Sequence, residues 1–528
     1  MSATPASLTC TALSFAWPDG TEVFDGLQLT FGPGRTGLIG LNGSGKSTLL
    51  QLIAGELTPS EGQVRVVGEV GHLPQTVVFD TGLRVDRALG IAGARAALHA
   101  IEAGDVREEH FAAVGDDWDV EERARAALDQ LGLEHVGLDR TLGEVSGGEC
   151  VLLRLAALLL ARPDVLLLDE PTNNLDARAR RRLYDAVDAW PGVLVVVSHD
   201  RELLDRVDRI ADLRDGEVAW YGGNFSAYEE ALAVEQEAAE RTVRAAENDL
   251  RRQKRELSEA QEKLARRAQY GRRMNERGSE PRIVMGMRRR AAQEFAGKHR
   301  ATHENRLSAA RKRLDEAVEA VRDDDGIRIE LPHTRVRPGR TVLTLRELEL
   351  RHGSAIGDEF ELRGPERVAL VGRNGSGKTT LLRTIAGQLE PVSGEAVAHV
   401  PLRFLPQRLD VLDDGLTIAR NVALAAPTAT DNQIRAQLAR FLFKGARADQ
   451  RAGTLSGGER FRASLATLLL AEPAPRLLLD EPTNSLDMAS ADRLTAALDA
   501  YEGALIVASH DMAFLESIGV TRWLRLDG

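Results

Sequence analysis

Short runs of apolar residues recur in both halves of the chain, and each run ends at polar or charged residues. In the first half they are Val165–Leu168 and Val193–Val197, and in the second half they are Leu477–Leu479 and Leu505–Ala508. Continuous apolar stretches of this length are typical of buried strands. The pattern therefore predicts an α/β fold in which chemically active side chains follow the buried strands.

The middle of the chain, residues 231–325, has a different apolar pattern. Leucine or valine recurs there every seven residues, and alanine fills alternate positions of the same seam. The large residues are Val243, Leu250, Leu257 and Leu264, then Leu307, Leu314 and Val321, with Ala246, Ala260, Ala310 and Ala317 between them. This heptad spacing predicts two helices of about 30 residues each, packed antiparallel and joined near Tyr270–Arg290.

Five motifs occur twice in the same order, once on each side of this middle segment. The pairs are GLNGSGKST (Gly40–Thr48) and GRNGSGKTT (Gly372–Thr380), LPQ ending at Gln75 and Gln407, SGGE at Ser146–Glu149 and Ser456–Glu459, LLLDEPTN[NS]LD at Leu166–Asp176 and Leu477–Asp487, and SHD at Ser198–Asp200 and Ser509–Asp511. Such self-similarity indicates a duplication. We interpret the chain as a first cassette at 1–230, a helical-hairpin linker at 231–325 and a second cassette at 326–528.

The two motif sets differ in one interval. Between LPQ and SGGE the first cassette spans 71 residues from Gln75 to Ser146, whereas the second spans 49 from Gln407 to Ser456. The 22 extra residues lie within 77–143, in a polar, helix-forming sequence. Two interpretations stay open, a longer helical subdomain and a short arm that contacts a partner.

In both cassettes GxxxxGK[ST] follows an apolar strand and precedes an apolar helix, which is the pattern of a phosphate-binding loop. Glycines let backbone N–H groups surround the phosphates, and the lysine reaches the β- and γ-phosphate oxygens. Hydroxyls of Ser47 and Thr379 suit Mg²⁺. The expected nucleotide-binding residues are Gly40, Asn42, Gly43, Ser44, Gly45, Lys46, Ser47 and Thr48, with Gly372, Asn374, Gly375, Ser376, Gly377, Lys378, Thr379 and Thr380.

An Asp-Glu pair closes one apolar strand of each cassette, and a histidine follows another. The pairs are Asp169–Glu170 and Asp480–Glu481, and the histidines are His199 and His510. The aspartates suit the coordination of Mg²⁺, directly or through water, and the glutamates can orient or deprotonate an attacking water. Glutamate and histidine are 29 residues apart in both cassettes. The sequence therefore predicts ATP hydrolysis with these four glutamate and histidine residues as the catalytic groups.

Composition narrows the class of protein. The chain has 528 residues, of which 43% are hydrophobic, and a net charge of −12. No run approaches the ~18 apolar residues of a membrane helix, and no basic residue precedes Arg35 to begin a signal peptide. Two cysteines, Cys10 and Cys150, provide neither a disulfide framework nor a metal cluster. These observations disfavour secreted, integral-membrane and metal-cluster proteins, and we expect a cytoplasmic protein.

With SGGE and LLLDEPTN[NS]LD in both cassettes, the chain resembles the ATP-binding cassette superfamily. In that superfamily each ATP is bound by the phosphate loop of one cassette and the SGGE segment of the other. The resemblance therefore implies two P-loop ATP-binding cassettes that pair within a monomer, with ATP and Mg²⁺ as cofactors. It adds Trp17, Gln75, Ser456, Gly457, Gly458 and Glu459 to the first site, and Gln407, Ser146, Gly147, Gly148 and Glu149 to the second. It also implies that Gln75 and Gln407 contact the metal.

Charge distinguishes the linker from the rest of the chain. Residues 251–300 contain 16 Lys+Arg and 6 Asp+Glu, a net charge of +10. A basic element on an acidic protein is typical of nucleic-acid contact. Together with AWYGGNFSAY (Ala219–Tyr228), this linker makes the chain similar to the F subfamily. That resemblance implies a ribosome-associated ATPase whose linker acts at the tRNA and peptidyl-transferase region, as a translation factor or an antibiotic-resistance protein.

Other functions are weighed against this interpretation. An ATPase subunit of a transporter with separate membrane partners is the main alternative, but it has no use for a linker with a charge of +10. A DNA-repair or chromosome ATPase would need zinc-binding cysteines or a much longer coiled coil. The linker therefore favours a ribosomal partner.

Three positions depart from the superfamily pattern. His352 stands where the first cassette has Trp17, Val145 replaces the usual leucine before SGGE, and Cys150 stands where the second cassette has Arg460. We interpret Cys150 as a small core side chain rather than a redox sensor. The departures predict two unequal sites, neither of them inactive.

Overall fold

The computed structural model of the protein describes residues 6–75, 80–173, 175–214, 216–276, 287, 301–303, 305–318, 335–353, 359–373, 375–406, 411–441, 443–455, 457–470, 476–483, 486 and 488–526. The chain divides into two compact units. One unit, Met1–Ser226 with Gly326–Gly528, contains both cassettes, and the other is Ala227–Asp325. In the described part of the chain, no helix is both long and apolar enough to span a membrane.

Two sheets form the framework of the first cassette. Its described strands are β1 (Ser7–Ala16), β2 (Glu22–Phe31), β3 (Gly34–Ile39), β4 (Glu61–Val67), β5 (Val70–Leu73), β6 (Val165–Asp169), β7 (Val193–Val197), β8 (Arg209–Arg214) and β9 (Glu217–Gly222). One sheet has the order β5-β6-β7-β3-β8-β9 and is parallel except for the β8–β9 pair, and the other is antiparallel with the order β2-β1-β4. The predicted α/β fold class is thus confirmed.

The central strands of the parallel sheet bring the functional segments together. β6 and β7 are buried along their whole length, as expected for strands with neighbours on both sides. β6, β7 and β3 are adjacent in the sheet. Because all three run in the same direction, Asp169, the Ser198–Asp200 segment and the phosphate-binding loop lie at one edge of the sheet.

Helices cover this sheet and form the insertion of the first cassette. They are α1 (Lys46–Ile53), α2 (Val85–Ala88), α3 (Ala92–Glu102), α4 (Glu108–Val114), α5 (Val120–Gln130), α6 (Gly147–Ala161), α7 (Ala177–Asp188) and α8 (Arg201–Leu204). Inside the insertion Arg95 is 8% exposed. Its guanidinium pairs with Asp86 at 3.0 Å, with Asp139 at 2.7 Å and with Glu121. A buried charge needs such partners, so this polar sequence is organised around an ion-pair network.

The second unit is helical. Its long helix α9 spans Phe225–Glu276, 52 residues, so the expected length of about 30 residues is wrong. The difference arises because the sequence before Val243 lacks the heptad leucines but is rich in alanine and glutamate, which favour a helix without a packing seam. A second helix, α10, covers residues 305–318.

A few described contacts join α9 and α10. Arg313 of α10 lies 3.0 Å from Asp249 of α9. Ala310 and Ala317 are 1% and 6% exposed, which is consistent with the alanine seam expected from the heptads. The side chain of Leu264, Val321 and most of the basic tip (277–286 and 288–300) lie outside the described residues.

The second cassette repeats the architecture of the first. Its described strands are β10 (Thr341–Glu349), β11 (Phe360–Arg363), β12 (Arg367–Gly372), β13 (Ser393–Ala398), β14 (Leu402–Leu405), β15 (Arg476–Asp480), β16 (Ala504–Ala508) and β17 (Arg522–Leu526). The helices are α11 (Lys378–Ile385), α12 (Ile418–Ala425), α13 (Asp431–Arg440), α14 (Gly457–Leu470), α15 (Met488–Asp499) and α16 (Met512–Ser517). The parallel sheet has the order β14-β15-β16-β12-β17, and β11-β10-β13 is antiparallel.

Candidate nucleotide-binding and hydrolysis sites

The phosphate-binding loops join β3 to α1 and β12 to α11. Gly45 and Gly377 precede these helices with φ angles of +95° and +98°, a backbone region that favours glycine. A Cβ atom at Gly45 would lie 2.6 Å from Val23 Cγ1, and one at Gly377 would lie 2.7 Å from the His352 carbonyl oxygen. No side chain caps either helix. The starts of both helices are therefore suited to bind an anion through their first N–H groups.

The lysines of the two loops lie across the loop backbone. Lys46 Nζ donates to the carbonyl oxygens of Gly40 and Leu41, both at 2.9 Å. Lys378 Nζ donates to the two matching carbonyls at 2.8 Å and 3.1 Å. Both lysines are nearly buried, at 7% and 8% exposure. Their ammonium groups are thus held at the concave side of the loop, where the phosphates of a nucleotide bind.

The aspartates that end β6 and β15 are buried and incompletely hydrogen-bonded. Oδ1 of Asp169 is without a hydrogen-bond partner among the described residues. Burial raises the pKa of both carboxyl groups, and hydrogen bonds of Asp169 with Ser47 and of Asp480 with Thr379 oppose that rise. Buried carboxylate oxygens that lack donors suit a hard divalent cation or the water it holds. The residues at both sites therefore fit a magnesium ion.

The glutamates that follow these strands have a strained backbone. Glu170 and Glu481 have φ angles of +48° and +46°, which cost a non-glycine residue free energy. A hydrogen bond to the neighbouring strand holds each glutamate in this conformation. The N–H of Glu170 donates to the carbonyl oxygen of Val197 and that of Glu481 donates to the carbonyl oxygen of Ala508, both at 2.8 Å. This turn directs both side chains to the edge of the sheet that carries the phosphate loop.

Burial also sets the charge state of these glutamates. It raises the pKa of Glu170 to about 8 and that of Glu481 to about 7, and the neighbouring aspartate contributes to both shifts. The lysine of the same cassette opposes the shift. A carboxyl group with a pKa near neutrality is suited to exchange a proton with water. The two glutamates are therefore candidates for a general base.

The histidines are placed by the residues on either side of them. Asp200 N–H donates to Ser198 Oγ at 3.1 Å, and the Asp200 carboxylate caps α8. The second cassette repeats this arrangement with Asp511 as the cap of α16. As a result His199 Nε2 lies 3.1 Å from Glu170 Oε1, and His510 Nε2 lies 3.3 Å from Glu481 Oε1.

The SGGE segment of the first cassette begins α6. Ser146 is the N-cap, and its hydroxyl accepts a hydrogen bond from the Glu149 N–H at 3.3 Å. The Glu149 carboxylate accepts in return from the Ser146 N–H at 2.8 Å and lies 2.7 Å from His135 Nε2. This capping box gives Glu149 a structural role at the start of α6, and its place among the ATP contacts stays a prediction. Gly147 and Gly148 form the first turn.

The remaining predicted residues are partly described. Gln75 is exposed two residues after β5, and Trp17 is 38% exposed with its edge against the Phe15 ring at a centroid distance of 5.2 Å. Asn374, Gln407 and Ser456 lie outside the described residues, and Gly457 begins α14. Cys150 is 3% exposed, consistent with a small core side chain.

A cavity of about 290 Å³ between the two cassettes reveals further residues near the sites. It is lined by Glu170 and His199 of the first cassette, by His510 of the second, and by α7 and α15. Sequence reasoning missed Arg180 of α7, which lines this cavity. It also missed Asp176, the N-cap of α7, whose charge acts on Lys378 of the other cassette. Asp176 lies inside a quoted motif, so its repetition in the second cassette was a usable signal, whereas Arg180 lies beyond the motif.

The fold and the two sites define a tandem P-loop nucleotide-binding protein, and comparisons with known proteins agree. The family model described as ABC transporter matches residues 24–173 and 357–484. The chain is 33% identical to the tylosin resistance ATP-binding protein TlrC of Streptomyces fradiae, over 93% of this chain and 92% of the relative. It is 32% identical to the energy-dependent translational throttle protein EttA of Mycobacterium tuberculosis, over 94% of this chain and 87% of the relative.

A solved structure of an RNase-L inhibitor has the same fold, with a TM-score of 0.55 and 18% identity over 98% of this chain and 87% of that one. The chain belongs to the ATP-binding cassette superfamily and, within it, to the F subfamily of tandem-cassette ATPases. Its predicted enzyme class, an ATPase, is confirmed.

Proposed function

We propose that this protein is an ATP-switched, ribosome-binding ATPase. ATP binding closes the two cassettes, the basic linker acts at the tRNA and peptidyl-transferase region, and hydrolysis releases the protein. The observation that supports this proposal is the match, over 93% and 94% of the chain, to relatives named for tylosin resistance and translational throttling. Both roles fit the same closing step, so the proposal covers a translation factor and an antibiotic-resistance protein.

Within each site the chain's own residues have separate roles. The phosphate loops bind the β- and γ-phosphates through their N–H groups and lysines. Mg²⁺ would be held by Ser47, Gln75 and Asp169 in one site and by Thr379, Gln407 and Asp480 in the other. A bound ion would neutralise charge on the phosphate oxygens. Glu170 and Glu481 orient the attacking water and accept its proton, while His199 and His510 contact the γ-phosphate.

The composite sites link nucleotide binding to closure. The SGG segment of the opposite cassette covers the γ-phosphate, with Gly147 and Gly148 at the start of α6 and Gly457 and Gly458 at the start of α14. N–H groups at a helix start bind a phosphate only when it lies against them. ATP then joins the cassettes, and loss of the γ-phosphate separates them.

The proposed partner is ribosomal RNA and tRNA, contacted through residues 251–300 with their net charge of +10. Such contacts release counterions from phosphates, so binding weakens as salt rises. The protein acts as a monomer in the cytoplasm, where ribosomes are found.

Co-sedimentation with 70S ribosomes tests this function. The Glu170→Gln/Glu481→Gln chain should bind ATP without hydrolysing it, and it should pellet with ribosomes in ATP but not without it. The Lys46→Ala/Lys378→Ala chain should fail to pellet in either condition. Replacing Arg288, Arg289 and Arg290 with alanine should weaken pelleting and reduce its dependence on salt. If the glutamine variant binds ATP but does not pellet, the ribosome proposal fails and a transporter subunit becomes the better interpretation.

A further inference from the structure

The start of helix α9 is bound by a carboxylate from the first cassette. Phe225 and Ser226 begin α9 and belong to the same compact unit as the two cassettes. The Ser226 N–H donates to Asp205 Oδ1 at 2.8 Å, and the Ser226 hydroxyl donates to Oδ1 at 2.9 Å and to Oδ2 at 3.1 Å. An N–H group in the first turn of a helix has no partner within the helix, and the positive end of the helix dipole favours a negative charge there. Asp205 therefore caps α9 from a different part of the chain.

Asp205 directly follows α8, a single-turn helix that begins two residues after His199. Asp200 is the N-cap of α8, and the side chains of Leu203 and Leu204 are fully buried. Closely packed side chains transmit a displacement because the interior has little free volume. The short helix α8 therefore connects the position of His199 at the first site with the position of Asp205 at the start of α9.

The same short helix also contacts the second cassette. Arg201, the first residue of α8, pairs with Asp492 of α15 at 2.8 Å. The guanidinium carbon of Arg201 also lies 5.7 Å from the centroid of the Phe225 ring, and Phe225 is 3% exposed. A change in the contact between α8 and α15 therefore acts on a side chain that packs against the start of α9.

The second cassette has a different residue at the position of Asp205. Glu516 follows the SHD motif of the second cassette at the same distance as Asp205 follows that of the first. Glu516 is exposed on α16, and its carboxylate makes no hydrogen bond or ion pair with the residues that the structure describes. The duplicated cassettes thus differ at this position, because only the carboxylate of the first one caps a helix.

We propose that Asp205 is a positioning residue for the linker, because it anchors the first turn of α9 to α8 and so lets the nucleotide state of the first site change the affinity of the linker for RNA. This inference rests on the proposed function, in which the basic linker binds ribosomal RNA and tRNA. Asp205 acts through Ser226 and is not part of either nucleotide site. The second site reaches the linker through the contact of its cassette with Arg201.

Two effects of such an anchor can be separated by measurement. A helix that is fixed at its base loses less conformational freedom when it binds RNA, which raises the affinity in every nucleotide state. A link between α8 and α9 adds a free energy that depends on the nucleotide, and this coupling is reciprocal between ATP and RNA. The ratio of the ribosome affinities with and without ATP therefore measures the coupling alone.

Alanine substitution of Asp205 in the Glu170→Gln/Glu481→Gln chain tests the inference. Co-sedimentation gives the affinity for 70S ribosomes with ATP and without nucleotide, at a salt concentration where both are measurable, and calorimetric titration gives the affinity for ATP. Asp205→Ala should lower the ratio of the two ribosome affinities at least about fivefold, while the affinity for ATP without ribosomes changes less than about twofold. Asp205→Asn keeps an acceptor for the Ser226 N–H and should retain most of the ratio. Ser226→Ala removes only the hydroxyl and should give an intermediate ratio.

Glu516→Ala is the matched control, because it removes the same charge from the corresponding position of the second cassette and should leave the ratio unchanged. A parent chain that binds ATP but no ribosomes would contradict the proposed function. A parent chain that pellets in ATP, with the same ratio after Asp205→Ala, would overturn only the inference.

Two further outcomes also decide the question. An equal loss of ribosome affinity with and without ATP would overturn the inference, because Asp205 would then only stiffen the base of α9. If Asp205→Ala also loses ATP binding, α8 itself is damaged and the ratio for Ser226→Ala decides, since that variant leaves every residue of α8 in place. A ratio for Ser226→Ala equal to that of the parent would then overturn the inference, and a lower ratio would support it.

Discussion

The two hydrolysis sites have the same internal geometry and different surroundings. Each holds its glutamate at a φ near +47°, with a histidine nitrogen 3.1 Å or 3.3 Å from the carboxylate. The pKa of the glutamate nevertheless rises to about 8 in the first site and only to about 7 in the second. After burial, which is the largest cause in both sites, the charge of Asp200 raises the pKa of the first glutamate, whereas the charge of Arg180 lowers that of the second. Repeated motifs thus reproduce the geometry of the two sites, while burial and the neighbouring charges give their glutamates different pKa values.

The largest expected effect comes from removing the two glutamates, together and one at a time. The Glu170→Gln/Glu481→Gln chain should lose ATPase activity at least about 100-fold, because no base remains in either site. At pH 7, Glu481→Gln alone should reduce turnover more than Glu170→Gln, since the second glutamate is ionised in a larger fraction of molecules. Steady-state phosphate release measures all three variants.

Glu516→Gln is the control for this series, because Glu516 is exposed on α16 and should leave the rate unchanged. Equal losses from the two single variants would show that the two sites hydrolyse ATP at the same rate. The difference between the pKa values of their glutamates would then have no effect on turnover.

The dependence of ATP hydrolysis on pH should distinguish the two sites by the pKa values of their glutamates. A general base works only when ionised, so hydrolysis falls as the pH drops through the pKa of the glutamate. The acid limb of kcat/KM should have its midpoint near 7 in the Glu170→Gln chain and near 8 in the Glu481→Gln chain. Rates measured from pH 5.5 to about 9.5 in a buffer of constant ionic strength test this. If the pH profiles of the two variants coincide, the two glutamates do not differ in pKa and the assignment is wrong.

The smallest expected effect concerns the adenine. Trp17 offers an exposed aromatic face, and stacking of a base on an aromatic ring contributes about 1–3 kcal/mol. Trp17→Ala should therefore weaken ADP binding to the first site about fivefold or more, whereas His352→Ala should weaken binding to the second site less than about threefold. Calorimetric titration of the phosphate-loop variants, each with one intact site, separates the two affinities.

Trp118→Ala provides the control for this measurement, since Trp118 is a similarly exposed tryptophan in the insertion. A loss after Trp118→Ala as large as that after Trp17→Ala would exclude stacking at Trp17 as the cause.

The repeated motifs predicted which side chains each cassette brings together. Strand bounds such as Val193–Val197 could be predicted because a fully buried strand is apolar at every position. The equal spacing between glutamate and histidine in the two cassettes then identified both residues as functional. Both features lie within one cassette, and they depend only on strands that are neighbours in its parallel sheet.

The sequence was less informative wherever a side chain had two possible partners. The capping role of Glu149 was not predicted, because the capping box and the SGGE motif use the same residues. The length of α9 was underestimated because helices also form where no heptad seam exists. Arg180 could not be predicted as a cavity residue because its position in the cavity depends on how α7 packs, which hydrophobic spacing does not determine.

The left-handed backbone at Glu170 and Glu481 places stability and catalysis in opposition. Glycine adopts this conformation without the penalty of about 1 kcal/mol that a Cβ atom incurs, and it would also remove a carboxyl group from a desolvated position. Selection for thermal stability alone would therefore favour glycine at both turns and would discard both bases. The two glutamates are thus positions where engineering for a more stable chain and engineering for a faster one require different residues.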